Sequence, residues 1–171
     1  MAGLRRLVSS LRPPSCGGKM QVVHMGQQAR RVRDETKRSI REAPLTAAQR
    51  DFLAAHARYE GSPLHKKEPH NFDLTPPSSP REDKTLCDEA GIFDKKVAFD
   101  LFRLAVEVGL VSETEKAAGF PSQIWVVDAD GRVFELMYGG SVVGRYHGYP
   151  IRRSNPLFNK IATAWAVRRH V

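Results

Sequence analysis

The residues from Arg145 to Arg153 form the densest group of reactive side chains in the sequence. This segment contains three guanidiniums, two phenols and an imidazole, together with a glycine and a proline that can fix a turn. Imidazole transfers protons near neutral pH, and guanidinium groups bind phosphate through paired N–H groups. A tyrosine ring can stack on a base or donate a hydrogen bond. These groups are suited to metal-independent RNA cleavage, in which a base activates the ribose 2′ hydroxyl and cations stabilise the pentacovalent phosphate.

The predicted catalytic residues are His147, Arg145 and Glu135, and the predicted substrate-binding residues are Tyr146, Tyr149, Arg152 and Arg153. Glu135 is the one carboxylate within the predicted strands. It would orient His147 or act as a second acid or base, although strand alternation leaves open whether the two side chains share a face. The competing interpretation is that His147 packs beside Tyr149 at a strand end, while Arg152 and Arg153 solubilise a loop.

The sequence predicts no metal site and no cofactor. Cys16 and Cys87 lie too far apart for a zinc motif and do not form a disulfide framework, which favours a reducing compartment. His56 is interpreted as a packed helix residue, and His65 and His70 as residues of a solvated loop, because their spacing is a poor match for metal ligands.

The elements that would position these residues indicate an α+β fold with leading helices, an antiparallel meander of three or more strands, and a C-terminal helix. Thr46 and Gln49 form a capping box that predicts a helix to about Glu60. Asp94 should cap a second helix that ends at Gly109. Ser112 and Glu115 repeat the capping-box pattern and predict a further short helix.

The β-rich part of the sequence begins at Gln123. The runs 124–127, 132–138 and 142–147 predict three antiparallel strands, and 128–131 predicts a tight turn in which Asp128 and Asp130 serve turn geometry rather than calcium. A final helix should begin at Asn155 and Pro156.

These elements divide the chain into four predicted segments. Residues 1–42 form a basic, flexible extension, residues 43–61 a helix, residues 62–84 a proline-rich linker, and residues 85–171 a compact α+β domain.

The charge distribution favours a nucleic-acid partner. The formal net charge is +8, and residues 1–42 hold ten Lys or Arg against three Asp or Glu. Local clusters of one sign attract polyanions more strongly than the same charge spread evenly. RNA or another nucleic acid is therefore the expected partner, and the alternative is a solvated basic arm without a specific ligand.

The expected location is the cytoplasm. No apolar run is long enough to span a membrane. Residues 1–19 are basic, rich in serine and free of acidic residues, as in an organellar transit peptide. That interpretation is less favoured because prolines and glycines interrupt any amphipathic helix, and Met20 is an alternative start.

The region from Lys84 to Val171 resembles the C-terminal toxin modules of bacterial polymorphic toxin systems, in particular those with the stretch YHGYP, found here at Tyr146 to Pro150. The predicted architecture is similar to that of barnase, colicin and RelE-type ribonucleases. The resemblance implies a metal-independent ribonuclease acting on tRNA, mRNA or rRNA in the producing or target cell, with a cognate acidic inhibitor protein as a second partner. His147, Arg145, Tyr146 and Tyr149 match the motif region and are the candidates it supplies.

Two further functional hypotheses remain open, since likeness of fold cannot establish function. The first is a non-catalytic module whose strands and basic arm bind nucleic acid or a protein. The second is an immunity or accessory protein that binds only protein. Convergence of three of the four residues His147, Arg145, Arg152 and Glu135 on one concave surface would favour the enzyme, whereas divergence would favour the binding module.

Overall fold

A computed structural model describes residues 38–79, 84–139 and 142–169. Most of the predicted extension, including Cys16 and Met20, lies outside the described residues. Within the described residues, no helix has both the length and the apolar character needed to cross a bilayer.

Within the described residues, three α-helices form where the capping residues predict them. Helix α1, Ala47–His56, begins with the capping box of Thr46 and Gln49. Helix α2, Lys95–Val108, begins where Asp94 accepts a hydrogen bond from the Lys96 N–H. It ends at Gly109, whose φ of 67° suits glycine.

Helix α3, Leu157–Arg168, follows the strands of the main sheet. The Oδ1 of Asn155 accepts a hydrogen bond from the Leu157 N–H at 3.0 Å, as predicted for this residue.

The prediction that α1 reaches Glu60 is wrong, because the backbone adopts an extended conformation at Ala57. Strand β1, Arg58–Tyr59, follows and pairs in parallel with strand β6, Arg145–Pro150. The backbone groups of Arg58 and Tyr59 therefore have hydrogen-bond partners in the sheet. A strand of two residues is too short for a sequence pattern to indicate it.

The main sheet has four strands in the order β1-β6-β5-β4, where β4 is Gln123–Val127 and β5 is Val133–Tyr138. The pairs β4–β5 and β5–β6 are antiparallel, which confirms the predicted meander within an α+β fold. The predicted tight turn is also confirmed, since Asp128 accepts hydrogen bonds from the backbone N–H groups of Asp130 and Arg132.

The third strand begins later than predicted, at Arg145 rather than residue 142. Gly144, with φ of 80°, lies in the turn that precedes it, and its N–H donates to the Tyr138 hydroxyl. The strand then continues through Pro150, so His147 lies in the middle of the strand instead of at its end.

The short helix predicted from Ser112 and Glu115 is absent, and this prediction is wrong. Strands β2, Glu115–Ala117, and β3, Phe120–Pro121, form a small antiparallel pair instead. The Ser112 hydroxyl accepts a hydrogen bond from the Gln123 N–H and donates one to the Thr114 carbonyl, so it serves the start of β4 and caps no helix.

The predicted linker packs on the domain. Phe72 is 2% exposed, and His65 and Lys66 are also buried. Asp88 accepts hydrogen bonds from the backbone N–H groups of Lys67 and Glu68. The prolines start short 3₁₀ turns at 63–65 and 69–72 rather than extending the chain into solvent. Residues 62–74 are therefore part of the domain, whereas residues 75–79 are mostly exposed.

The segment 38–42, assigned by sequence to the extension, also contacts the domain. Ile40 forms an antiparallel bridge with Ser112, and the Arg41 N–H donates to the Val111 carbonyl. The described domain consequently begins earlier than residue 43.

The core lies on and around the main sheet. Helix α2 packs against β4 and α1, while α3 contacts β4 and β5. The buried residues of the core include Phe102, Ile124, Val126, Phe134, Leu136, Ile161 and Trp165, and Leu104 is partly buried.

Candidate active site

One face of β5 and β6 brings together residues that the sequence separates. In the strand register Glu135 lies opposite Tyr149, and Met137 lies opposite His147. Side chains at alternate positions project to the same face of a sheet, so these four residues share a face. The register therefore places Glu135 and His147 as diagonal neighbours, which strand alternation in the sequence could not decide.

This face forms the wall of a cavity of about 530 Å³. Glu135, His147, Tyr149 and Arg152 all line it, together with the residues at the start of α3. Three of the four groups expected to converge, His147, Arg152 and Glu135, therefore meet at one concave surface, and Arg145 does not.

The described residues that line the cavity carry more positive than negative charge. Arg38, Lys84 and Arg152 contribute three cationic groups, and Glu135 contributes one carboxylate. Glu135 is 1% exposed, and its Oε1 lies 3.5 Å from the Nε of Arg38. A cavity lined in this way attracts an anion, because a low-dielectric wall strengthens the field of its cations.

A second imidazole, that of His65, also lines the cavity. Its Nδ1 lies 2.9 Å from the carbonyl oxygen of Thr85. Its ring stacks on Tyr149, with centroids 4.6 Å apart, and on His147, with centroids 6.1 Å apart. Sequence analysis assigned His65 to a solvated loop and missed it, since only the packing of residues 62–74 brings it to the sheet.

Burial lowers the pKa of both histidines from the ordinary value. For His147 the neighbouring His65 and Lys84 lower the pKa further, while Glu60 acts in the opposite direction. For His65 the hydrogen bond to Thr85 partly counteracts the effect of burial, and Lys84 and Lys66 lower the pKa. The two rings are therefore neutral over more of the pH range than exposed histidines.

Tyr146 lies in the core and not at the cavity. Its side chain is fully buried, and its hydroxyl donates a hydrogen bond to the Pro121 carbonyl at 2.7 Å. Burial raises the pKa of this phenol. Tyr146 alternates with His147 along β6 and so projects to the opposite face, which removes it from the predicted substrate-binding set.

Two predicted arginines also lie outside the cavity lining. The Nη1 of Arg145 forms an ion pair with Glu60 Oε1 at 2.8 Å. The guanidinium of Arg153 lies over the Phe158 ring, 5.5 Å from its centroid. Arg152 is thus the arginine of the 145–153 segment that the structure places at the cavity.

Cys87 is a buried free thiol, and burial raises its pKa to about 11. It donates a hydrogen bond to the Gly148 carbonyl at 3.3 Å and stays protonated at neutral pH. Among the described residues, no group of three or more His, Cys, Asp or Glu side chains could hold a metal ion.

The cavity thus combines two imidazoles, three cationic side chains, a phenol and a buried carboxylate. In comparisons with known proteins, no protein-family model matches the chain, and no curated protein or solved structure matches it significantly.

Proposed function

We propose that the cavity binds a phosphodiester of RNA and that the protein is a metal-independent ribonuclease of the toxin-module type. The observation that carries the proposal is the placement of His147 and His65 in the same cavity as three cationic side chains. Proton-transfer groups and phosphate-binding groups must lie within reach of one reacting phosphate, and this cavity assembles both kinds.

In this mechanism the cations bind the phosphate and stabilise the charge that develops in the transition state. Arg152 and Lys84 supply the positive charge that does this. Arg38 also contributes positive charge, while it is ion-paired with Glu135. His147 transfers a proton to or from a reacting oxygen. Attack of the 2′ oxygen on phosphorus forms a 2′,3′-cyclic phosphate and releases the 5′ oxygen as a hydroxyl.

The non-catalytic alternative uses the same cavity without bond cleavage. The net charge of +8 and the cationic lining also suit simple RNA binding. A cognate acidic inhibitor protein would be attracted by the same cations, as the toxin resemblance implies. The imidazole pair favours the enzyme, because phosphate binding needs cations but no proton-transfer group.

The test compares RNA cleavage by the wild-type protein, His147→Ala and His70→Ala at equal folded concentration. His70 is an exposed histidine outside the cavity lining, so it provides a matched control. We expect His147→Ala to lower the cleavage rate by about 10² to 10⁴ and His70→Ala to leave it unchanged. Cleavage should persist in EDTA, and RNA with 2′-deoxy substitution at the cleaved position should resist it.

RNA affinity provides the second measurement. It should fall steeply between low and physiological salt and change little in His147→Ala, since phosphate contacts and not proton transfer determine binding. Equal cleavage by wild type and His147→Ala would remove His147 from the mechanism. Salt-dependent binding with no cleavage across several RNA classes would favour the binding module instead.

A further inference from the structure

His65 and His147 lie in an arrangement that a single catalytic histidine would not need. Their rings are stacked, with an interplanar angle of 20° and centroids 6.1 Å apart, and both line the cationic cavity. We propose that the two histidines form an acid–base pair in which His65 is the general base and His147 the general acid. This inference rests on the proposed ribonuclease function and adds a second catalytic residue to it.

The hydrogen bond to Thr85 fixes the tautomer of the neutral His65 ring. A carbonyl oxygen can only accept, so the Nδ1 of His65 must carry the hydrogen that it donates. In the neutral ring the unprotonated nitrogen is then Nε2, and its lone pair is available to accept a proton. The sequence does not indicate this tautomer, because Thr85 and His65 come together only through the fold.

The ring of His65 is also held in position. Tyr149 stacks against it with an interplanar angle of 16°, and the Thr85 carbonyl fixes its rotation. Its side chain is buried, whereas His147 is half-buried. A base whose orientation is fixed before substrate binds loses little free energy when it reaches the reacting oxygen.

The pair should hold a single proton in its active state. Two adjacent imidazolium ions would repel each other, and burial disfavours a second charge in the cavity. Lys84 lowers the pKa of both rings and Lys66 lowers that of His65, while Glu60 raises that of His147. Arg152 and the Arg38–Glu135 ion pair line the same cavity.

The proton balance closes over one cleavage. His65 Nε2 takes the proton from the 2′ hydroxyl while the 2′ oxygen bonds to phosphorus. The bond from phosphorus to the 5′ oxygen breaks, and the protonated His147 gives its proton to that oxygen. The products are a 2′,3′-cyclic phosphate and a 5′ hydroxyl, and the proton has moved from His147 to His65. Transfer back between the rings, directly or through solvent, restores the starting state.

The pair predicts a bell-shaped dependence of kcat/KM on pH. Activity falls at low pH, where the base His65 becomes protonated, and at high pH, where the acid His147 loses its proton. Because burial and neighbouring positive charge lower the pKa of both rings, the maximum should lie below the ordinary histidine pKa of about 6.5.

The test measures pH–rate profiles and histidine NMR titrations of the wild type, His65→Gln, His147→Ala and the exposed control His70→Gln. We expect His65→Gln to lose about 10² to 10⁴ in rate, as removal of a general base does. Its residual activity should lack the fall at low pH, while His147→Ala should lack the fall at high pH. The His65 pKa should rise in His147→Ala, because the positive charge of the protonated His147 is removed.

The outcomes separate this inference from the proposed function. If wild type cleaves RNA and His147→Ala does not, but His65→Gln keeps the full rate and the bell shape, the pair is wrong and the ribonuclease stands. An unchanged His65 pKa in His147→Ala would show that the rings are not coupled and would also overturn the pair. No cleavage by wild type overturns both proposals.

Discussion

Replacement of Phe72 by alanine tests the largest difference between the sequence-based prediction and the structure, the packing of residues 62–74. Phe72 is 2% exposed, and the Nζ of the buried Lys66 lies 3.3 Å from its ring centroid. Truncating a buried phenylalanine to alanine costs about 3–5 kcal/mol of unfolding free energy, through lost burial and the cavity that remains. The loss of the desolvated cation–π contact with Lys66 is already included in this cost of about 3–5 kcal/mol and is not added to it.

The matched control is Phe93→Ala, the same substitution at a residue that is 59% exposed. Its side chain leaves no enclosed cavity, so we expect a loss below about 1 kcal/mol. Urea unfolding, followed by the fluorescence of the buried Trp125 and Trp165, measures both variants. Equal losses below about 1 kcal/mol in the two variants would show that residues 62–74 are a solvated linker, as the sequence predicts, and would leave His65 without a fixed position.

Two further predictions concern the core and the sheet face opposite the cavity. Trp165→Ala should lower the free energy of unfolding by about 3–5 kcal/mol in urea melts, because Trp165 is 4% exposed, whereas Val167→Ala at a 64% exposed position should change it by less than about 0.5 kcal/mol. A loss under about 1 kcal/mol for Trp165→Ala would contradict the core assignment. Tyr146→Phe should cost about 1–3 kcal/mol, since it leaves the Pro121 carbonyl without its hydrogen bond, and should leave RNA affinity unchanged. A large fall in RNA affinity at unchanged stability would return Tyr146 to the binding site.

Local signals predicted the helix starts and the central strand pairs correctly. Thr46 with Gln49 and Asp94 cap helices in the structure as their side-chain chemistry requires. The antiparallel pair of β4 and β5 and the turn at Asp128 also form as predicted. These features depend on hydrogen bonds and steric preferences between residues that are close in sequence, so the sequence pattern contains the information that determines them.

The same signals failed where distant partners compete for the backbone. Ser112 and Glu115 match a capping box, but the Ser112 hydroxyl bonds to Gln123 and Thr114, and the segment forms a strand pair instead of a helix. Likewise α1 ends at His56, because the following residues gain backbone partners in β6. Tertiary hydrogen bonds outweigh local propensity at these positions.

The residue types alone place an imidazole, arginines and tyrosines in one segment of a basic protein, and on this basis they predict binding and cleavage of a phosphodiester. They did not determine which of these groups meet. Strand register places Tyr146 in the core and His147 at the cavity, and an ion pair with Glu60 holds Arg145 outside its lining. His65 reaches His147 because residues 62–74 pack Phe72 and Leu74 against the domain, a contact between segments far apart in sequence. Such contacts depend on the packing of the whole chain, so only the tertiary structure decided the composition of the site.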